Sequence, residues 1–331
     1  MKHPSLPLKL FALLAALTCA FGTTAQEAYV NFTPEDSTLT FYFDNLRSTR
    51  TGTTYDLNTE SNSPEWDNIR IWSTVTRAAF DPSFADARPT SNFQWFHLMF
   101  KMKSISGIQY LNTSEVTNMG YMFEGCNALT SLDLSNFNTA NVTIMDCMLL
   151  GCYSLTSLDL SSFNTANVIR LYSMFYGCYG LTSLDLSNFN TAKVIAMGNM
   201  FRSCSSLTTI YAGDEWSTAA VSHSNDMFTG CTNLVGGKGT TYDENHVDVA
   251  YAHIDGGPSS PGYFTEKVDF LRGDVDGDGN VNIADVTALI DYMLSGNASG
   301  VNLAAADCDQ DGSVNIADVT TLINYLLSGT W

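Results

Sequence analysis

The sequence predicts an α/β solenoid of 26-residue coils, each a short strand followed by a short helix, and after it a small all-α domain built on two similar loops. Three observations carry this. "LTSLDLSNFNTANV" at 129–142 returns as "LTSLDLSSFNTANV" at 155–168 and as "LTSLDLSNFNTAKV" at 181–194, an interval of 26 residues. A fixed interval of this size marks a stacked architecture whose units touch only their neighbours. Inside each copy the apolar spacing changes from every second residue to every third or fourth. A second repeat, "DVDGDGNVNIADVTALIDYMLSG" at 274–296, is answered by "DCDQDGSVNIADVTTLINYLLSG" at 307–329.

The chain opens "MKHPSLPLKLFALLAALTCAFGTTAQ". Lys2 and Lys9 give a positive start, Leu10 to Ala20 an apolar stretch, and Thr23-Thr24-Ala25 a small-residue cleavage site. Residues 1–25 therefore read as a secretory signal peptide, too short to span a bilayer. The rival reading is lipid attachment at Cys19, although Thr18 is bulky for the position before a lipidated cysteine. No later segment is apolar enough for a transmembrane span, so the mature chain is expected to be secreted, extracellular or held at the cell surface. Residues 26–94 are expected to form an N-terminal cap, with alternating "LTFYF" at 39–43 in a hairpin.

The repeats occupy 95–234. Leu132, Leu134, Leu158, Leu160, Leu184 and Leu186 recur with period two, the mark of a strand. Val168, Leu171, Met174, Phe175 and Cys178 recur at three and four, the period of a helix, with Thr165 placed to act as its N-cap. "WFHLMFKMKSISGI" (95–108) and "LNTSEVTNMGYMFEGC" (111–126) extend the pattern backwards, with Met99 where later copies have Cys. "LTTIYAGDEWSTAAVSHSNDMFTGC" (207–231) is a worn last copy, as expected where an end coil must cover the core. Residues 235–265 would cap that end, and 266–273 would be a linker.

Cys126, Cys152, Cys178, Cys204 and Cys231 hold one position of successive coils. At strand spacing, about 4.8 Å, a disulfide is geometrically allowed, but side chains in register point the same way, which suits packing better. The methionines at 119, 145, 148, 174, 197 and 200 read as core. Cys147 and Cys308 fall at variable positions, where a thiol can be exposed. If Leu132 and Leu134 face inward, Asp133, Asp159 and Asp185 form a stripe about 4.8 Å apart on the opposite, concave face. That stripe is either a solvated polar surface or a receptor for a cationic ligand.

The formal net charge is −19, with 34 acidic against 15 basic residues. Such a chain is repelled by nucleic acid and by anionic lipid. From Val268 onward there are ten Asp and one basic residue, Arg272. The spacing of those oxygens carries chemistry. A hard cation such as calcium takes six to eight oxygen ligands, and a 12-residue loop supplies them at positions 1, 3, 5, 7, 9 and 12. Asp274, Asp276, Asp278, Asn280, Asn282 and Asp285 fill those positions, with Gly279 at the sharp turn. Asp307, Asp309, Asp311, Ser313, Asn315 and Asp318 repeat the set around Gly312. Two calcium ions are expected, with a helix leaving each loop, Val286 to Leu294 and Val319 to Leu327. Some 60 residues bury little core, so this domain should fold with its metal.

Catalytic signatures are absent. The four His outside the leader, at 97, 223, 246 and 253, form no H-E-x-x-H, and there is neither a G-x-S-x-G elbow nor a phosphate loop. His246, Asp248, His253 and Asp255 could in principle hold a metal, but their spacing suits helix turns and caps equally. Tyr211 and Trp216 are the aromatic residues nearest a strand face that could stack on a sugar. The chain is therefore read as a binding protein and not an enzyme.

Two resemblances sharpen this. With "LDLSNFNTANV", "MFYGC" (174–178) and the closing "LVGGKGTTYDENHVDVAYAHIDGGPSSPGYF", residues 27–265 resemble the BspA-like leucine-rich-repeat surface proteins of bacteria. That kinship implies an α/β leucine-rich-repeat solenoid acting in adhesion or protein binding. Residues 270–331, with two Asp-closed loops and two "NIADVT" segments, resemble the type I dockerin. This resemblance implies a calcium-dependent module, 274–331, that docks to a cohesin on a scaffold or surface, generally to assemble polysaccharide-degrading complexes. It places partner contacts at Ile283-Ala284 and Ile316-Ala317, which depart from the Ser-Thr pairs common in the family, with Ile290, Asp291, Ile323 and Asn324 beside them. The ligand of the solenoid, protein or glycan, is left open, as is a role as accessory or catalytic component of a polysaccharide-degrading complex.

Overall fold

The computed structural model describes residues 25–331, apart from 69, 70, 268 and 269. The signal peptide with its alternative at Cys19 lies outside the described residues. The chain divides into two compact units, the first ending at Glu266 and the second spanning Lys267–Trp331.

The first unit starts with β1 (Glu27–Thr33) and β2 (Thr38–Asp44), an antiparallel hairpin closed by the turn at 34–37. β3 (Thr53–Asp56) pairs with the outer side of β1, and a single helical turn, α1 (Glu65–Asn68), follows. β4 (Arg77–Phe80) joins β2 in parallel, and β5 (Ser104–Ser106) joins β4 in parallel, so the sheet order is β3-β1-β2-β4-β5. The alternation in "LTFYF" puts Leu39 and Phe41 inside. Phe41 is the centre of a ring cluster, 4.4 Å from Phe80, 4.9 Å from Trp95, 5.7 Å from Phe84 and Phe96, and 6.0 Å from Trp66. The cap is thus welded to the first coil by aromatic packing.

The coils stack in register. Single parallel bridges join Ser91, Asn118, Ile144, Arg170, Ala196 and His223 in sequence. The expected helix in each coil is absent: no α-helix occurs between Ser91 and Leu234 among the described residues. The apolar spacing of three and four is produced instead by consecutive tight turns. Alternate N–H groups donate within the coil, as from Met122 to the Met119 carbonyl and from Cys126 to Phe123. Those between donate to the next coil, from Tyr121 to Asp146, Phe123 to Met148 and Gly125 to Leu150. Helix propagation is blocked because each coil has residues in the left-handed region. Tyr121, Cys147, Ser173, Asn199 and Asp226 occupy one such slot at φ 55 to 59°. Thr165 caps nothing; its hydroxyl donates to the Asn190 carbonyl of the next coil at 3.0 Å, as Thr139 does to Asn164.

Of the three clean "SLDL" segments only the last is a strand, β6 (Ser183–Leu186), which leads the parallel sheet β6-β7-β8 with β7 (Thr209–Ala212) and β8 (Phe264–Glu266). Leu134, Leu160, Leu184 and Leu186 are buried, while Leu132 and Leu158 pack at the margin of the core. Ladders of identical residues fill the interior: Phe96 stacks on Phe123, and Phe175 on Phe201 and then Phe228, at 5.4–5.8 Å.

The cysteine ladder is a row of free thiols. Each Sγ donates to a carbonyl of the preceding coil, Cys126 to Phe96, Cys152 to Phe123, Cys178 to Leu149, Cys204 to Phe175 and Cys231 to Phe201, at 2.9–3.2 Å. Cys147 and Cys308, where exposure was expected, are buried as well. Burial pushes the thiols well above their usual range, Cys147 and Cys231 to about 12 and Cys308 to about 11. Since the thiolate is the reactive form, a thiol reagent at neutral pH should leave these seven cysteines unlabelled in the folded protein and label all of them in denaturant. Rapid labelling of any ladder cysteine under native conditions would contradict this packing.

In the second unit, α2 (Ile283–Ser295) and α4 (Ile316–Ser328) are equivalents of 13 residues each, one from each loop, with the short α3 (Leu303–Ala306) between. Both long helices begin a turn earlier than the sequence reading, because Asn282 and Asn315 open capping boxes with Asp285 and Asp318. Seven buried residues, Val275, Val286, Leu289, Ala306, Cys308, Val319 and Leu322, form the core. Residues 271–273, read as the end of a linker, pack on this unit. The Asp274 N–H donates to the Leu271 carbonyl, the Gly273 N–H to that of Ala305, and Arg272 lies over Trp331, which stacks on Tyr325.

Candidate metal centre and docking surface

The two loops gather carboxylates as their spacing demands. Candidate ligand atoms of Asp274, Asp276 and Asp278 lie within 4.8 Å of one another, and so do those of Asp307, Asp309 and Asp311. Backbone geometry sets this up. The Gly279 N–H donates to Asp274 Oδ2 at 3.0 Å across the loop, and Gly312 does the same to Asp307 Oδ2. Both glycines sit at φ 85 and 88°, conformations costly for other residues. Asp276 and Asp278 each take the N–H two residues on, as do Asp309 and Asp311.

What is left over is informative. Asp274 Oδ1 and Asp307 Oδ1 are buried and have no hydrogen-bond partner. A buried anionic oxygen without a donor is costly unless a cation meets it. Loss of water, offset in part by the Asp278 N–H, and then the charges of Asp285, Asp278 and Asp274 raise Asp276 above the ordinary carboxylate value. Asp309 is raised in the same way, by loss of water and then by Asp311, Asp318 and Asp307. All-oxygen, anionic and crowded, the set suits a hard divalent ion, and the residues present fit calcium.

Residues expected at loop positions 9 and 12 also hold the helix starts. Asn282 and Asn315 spend their side-chain oxygens on the N–H groups of Ala284 and Ala317. Asp285 and Asp318 stand outside the three-carboxylate groups. They are fully buried, and Asp285 accepts from Val275, Asp276 and Asn282, holding the start of the loop to its end. Asn280 and Ser313 take position 7, with their side chains or N–H groups turned to Asp278 and Asp311.

The surface of the helices is apolar and doubled. Ile283 and Ile316 are 71% and 67% exposed, and Ile290 and Ile323 are exposed near the middle of each helix. Ala284, Asp291 and Asn324 are exposed and Ala317 is half-buried. Leu294 and Leu327, 82% exposed, are apolar residues the sequence reading passed over. The signal was present, since both halves keep Leu at a helix position that the inward face does not use.

In the first unit Asp133, Asp159 and Asp185 are exposed, and each accepts the N–H of the serine two residues on. The Ser135 hydroxyl and then its N–H hold Asp133 below the ordinary carboxylate range, and the Ser161 N–H and then its hydroxyl do so for Asp159. The other candidates separate. Asp255 is buried and saturated by the N–H groups of Lys238, Thr240 and Gly257 and the Thr240 hydroxyl. His246 pairs with Asp243, His253 with the Ile254 carbonyl, and Asp248 caps Ala250, so no metal centre forms there. Trp216 is packed on Phe264 and donates to the Ala252 carbonyl, and Tyr211 lies in β7.

Comparison with known families falls on both units. A family described as "Mycoplasma protein of unknown function, DUF285" matches residues 91–212 and 157–253, and the type I dockerin domain matches 272–327. No curated protein matches the chain significantly. Among solved structures, a leucine-rich repeat protein from Bacteroides ovatus is similar at 16% identity, covering 65% of this chain and 82% of that one, with a TM-score of 0.25. No helix among the described residues is long and apolar enough to cross a membrane. The chain joins a repeat body of the DUF285, BspA-like kind to a C-terminal type I dockerin domain.

Proposed function

We propose that this is a secreted, non-enzymatic binding protein whose repeat body recognises another protein and whose dockerin attaches it, through calcium, to a cohesin-bearing scaffold. The observation that carries the reading is the duplicated loop with an orphaned, buried carboxylate oxygen in each copy, set in a segment that matches the dockerin model. Asp274, Asp276 and Asp278, with the Asn280 carbonyl, would hold one calcium ion; Asp307, Asp309 and Asp311, with the Ser313 carbonyl, would hold a second. A divalent ion would offset two of the negative charges in each cluster and would hold the loop at the start of its helix. Asp285 and Asp318 brace the loops from behind. Because the two halves present near-identical faces, Ile283, Ile290 and Leu294 against Ile316, Ile323 and Leu327, the partner could dock in either of two orientations.

A second reading has the chain as an accessory component of a polysaccharide-degrading complex, and the dockerin itself favours it, since such modules generally serve those assemblies. The stripe of Asp133, Asp159 and Asp185 is offered as a site for a cationic ligand of the body.

The test uses the whole chain as bait against the surface and secreted proteins of the producing bacterium, with calcium and with EDTA. A cohesin-type protein should be retained only with calcium, and a Leu294→Asp/Leu327→Asp variant should lose it. Retention indifferent to both calcium and that variant would remove the docking role.

A further inference from the structure

A cleft of about 750 Å³ opens in the segment that follows the last coil. Its walls include Tyr242, Asp243, Glu244, Tyr251, Pro258 and Pro261, with Lys238 and Thr240 at one side. The floor is rigid. Buried Asp255 ties the Lys238 and Thr240 backbone on one wall to that of Gly257 on the other, at 2.8–3.0 Å. Buried Tyr263 accepts the Asp243 N–H through its hydroxyl at 2.9 Å, stacks with Tyr242 and packs at a tilt against Tyr251. The Tyr242 hydroxyl accepts from the Gly230 N–H of the last coil. Gly236 completes the clamp, since a Cβ there would meet the Gly262 carbonyl oxygen at 2.2 Å. A site held this way loses little entropy on binding.

From this lining we infer that the cleft is a saccharide-binding site in the cap of the repeat body. Two half-buried tyrosine rings and two prolines offer flat apolar faces of the kind that pack against the C–H face of a pyranose ring. Around them stand groups suited to hydroxyls. The Asp243 and Glu244 carboxylates accept, the Lys238 ammonium donates, the Thr241 hydroxyl does either, and the Thr240 hydroxyl, whose proton goes to Asp255, accepts. Asp243 is held below the ordinary carboxylate range, first by the Asn245 N–H and then by His246, and stays an acceptor. Charges of both signs on the rim favour a neutral, polyhydroxylated ligand over an ion. An extended peptide is less well served, because no lining residue lies in a β-strand and the cleft offers no ladder of backbone groups. This inference rests on nothing in the dockerin, so either can fail without the other.

The test is calorimetric titration of the full chain, in calcium, with β-1,4-linked hexaoses of glucose, xylose and mannose, with maltohexaose and with hexagalacturonate. At least one should bind saturably. Tyr251→Ala should weaken it roughly ten-fold, the scale of one stacked ring. Exposed Glu244→Gln, which disturbs no packing, should weaken it as well, while Asp133→Ser/Asp159→Ser/Asp185→Ser should leave it unchanged. Thermal melting of each variant separates lost binding from lost fold. If no sugar gives saturable heat, or if the affinity ignores Glu244→Gln, the assignment is overturned. Binding of a proline-rich decapeptide at this cleft in place of every sugar would equally overturn it.

Discussion

Adding EDTA to residues 267–331 should abolish most of the helical circular dichroism of α2 and α4, and excess calcium should restore it. The unit has only seven buried core residues, and single cores of this size contribute no more than about 3–5 kcal/mol. Each ion that binds the folded loop alone, present at a thousand times its dissociation constant, adds about 4 kcal/mol. Two such contributions exceed everything the core supplies. Removing them also leaves three carboxylates within 4.8 Å of one another in each loop and strands Asp274 Oδ1 and Asp307 Oδ1 without partners. Asp274→Ala should halve the number of ions bound and lower the melting temperature without abolishing folding, because the second loop is intact. A spectrum and melting temperature indifferent to chelator would refute the metal assignment.

Phe41→Ala should be the most damaging single change in the repeat body, costing about 3–5 kcal/mol. The ring is fully buried and touches five others, Trp66, Phe80, Phe84, Trp95 and Phe96. Its loss does more than leave a cavity. Stacked repeats need an end that covers the first coil, and here that cover is held largely by rings meeting across Trp95 and Phe96. The expected result is a lower, broader thermal transition with binding of a hydrophobic dye before the main melt. Phe41→Leu, which keeps most of the volume, should recover a sharp transition. Equal melting of Phe41→Ala and wild type would show that the cap contributes little to the stack.

The sequence carried the periodicity and the oxygens, because both are written in residue identity. Twenty-six residues per coil, Leu134 and Leu160 inside, and Asp at loop positions 1, 3 and 5 need no knowledge of backbone angles. The helix expected in each coil was misread for a definite reason. Chains of tight turns bury every third or fourth residue, as a helix does, and what separates them is a left-handed residue at Tyr121, Cys147 or Ser173. None of these is glycine, but a second left-handed slot four residues on holds Gly125, Gly151 and Gly177, and the recurring Gly-Cys pair was the signal that reading passed over. Asn282 and Asp285 were read as ligands by position alone. Both also satisfy the rule for a capping box, and that second use was written in the same residues. Tyr242, Tyr251 and Tyr263 lie close in sequence, but only the fold, through Asp255 and the end of the stack, turns them into a cleft.

The bonds that join the coils have a mechanical meaning. They connect Tyr121 to Asp146, Cys147 to Tyr172 and Ser173 to Gly198, so they point along the stack and not across it. A pull on one end of the body therefore loads these contacts one coil at a time, as a zip is opened, while the bonds inside a coil feel little of it. Each opened coil releases 26 residues, about 90 Å of extended chain. Pulled from its two ends, such a body would lengthen in steps of one coil.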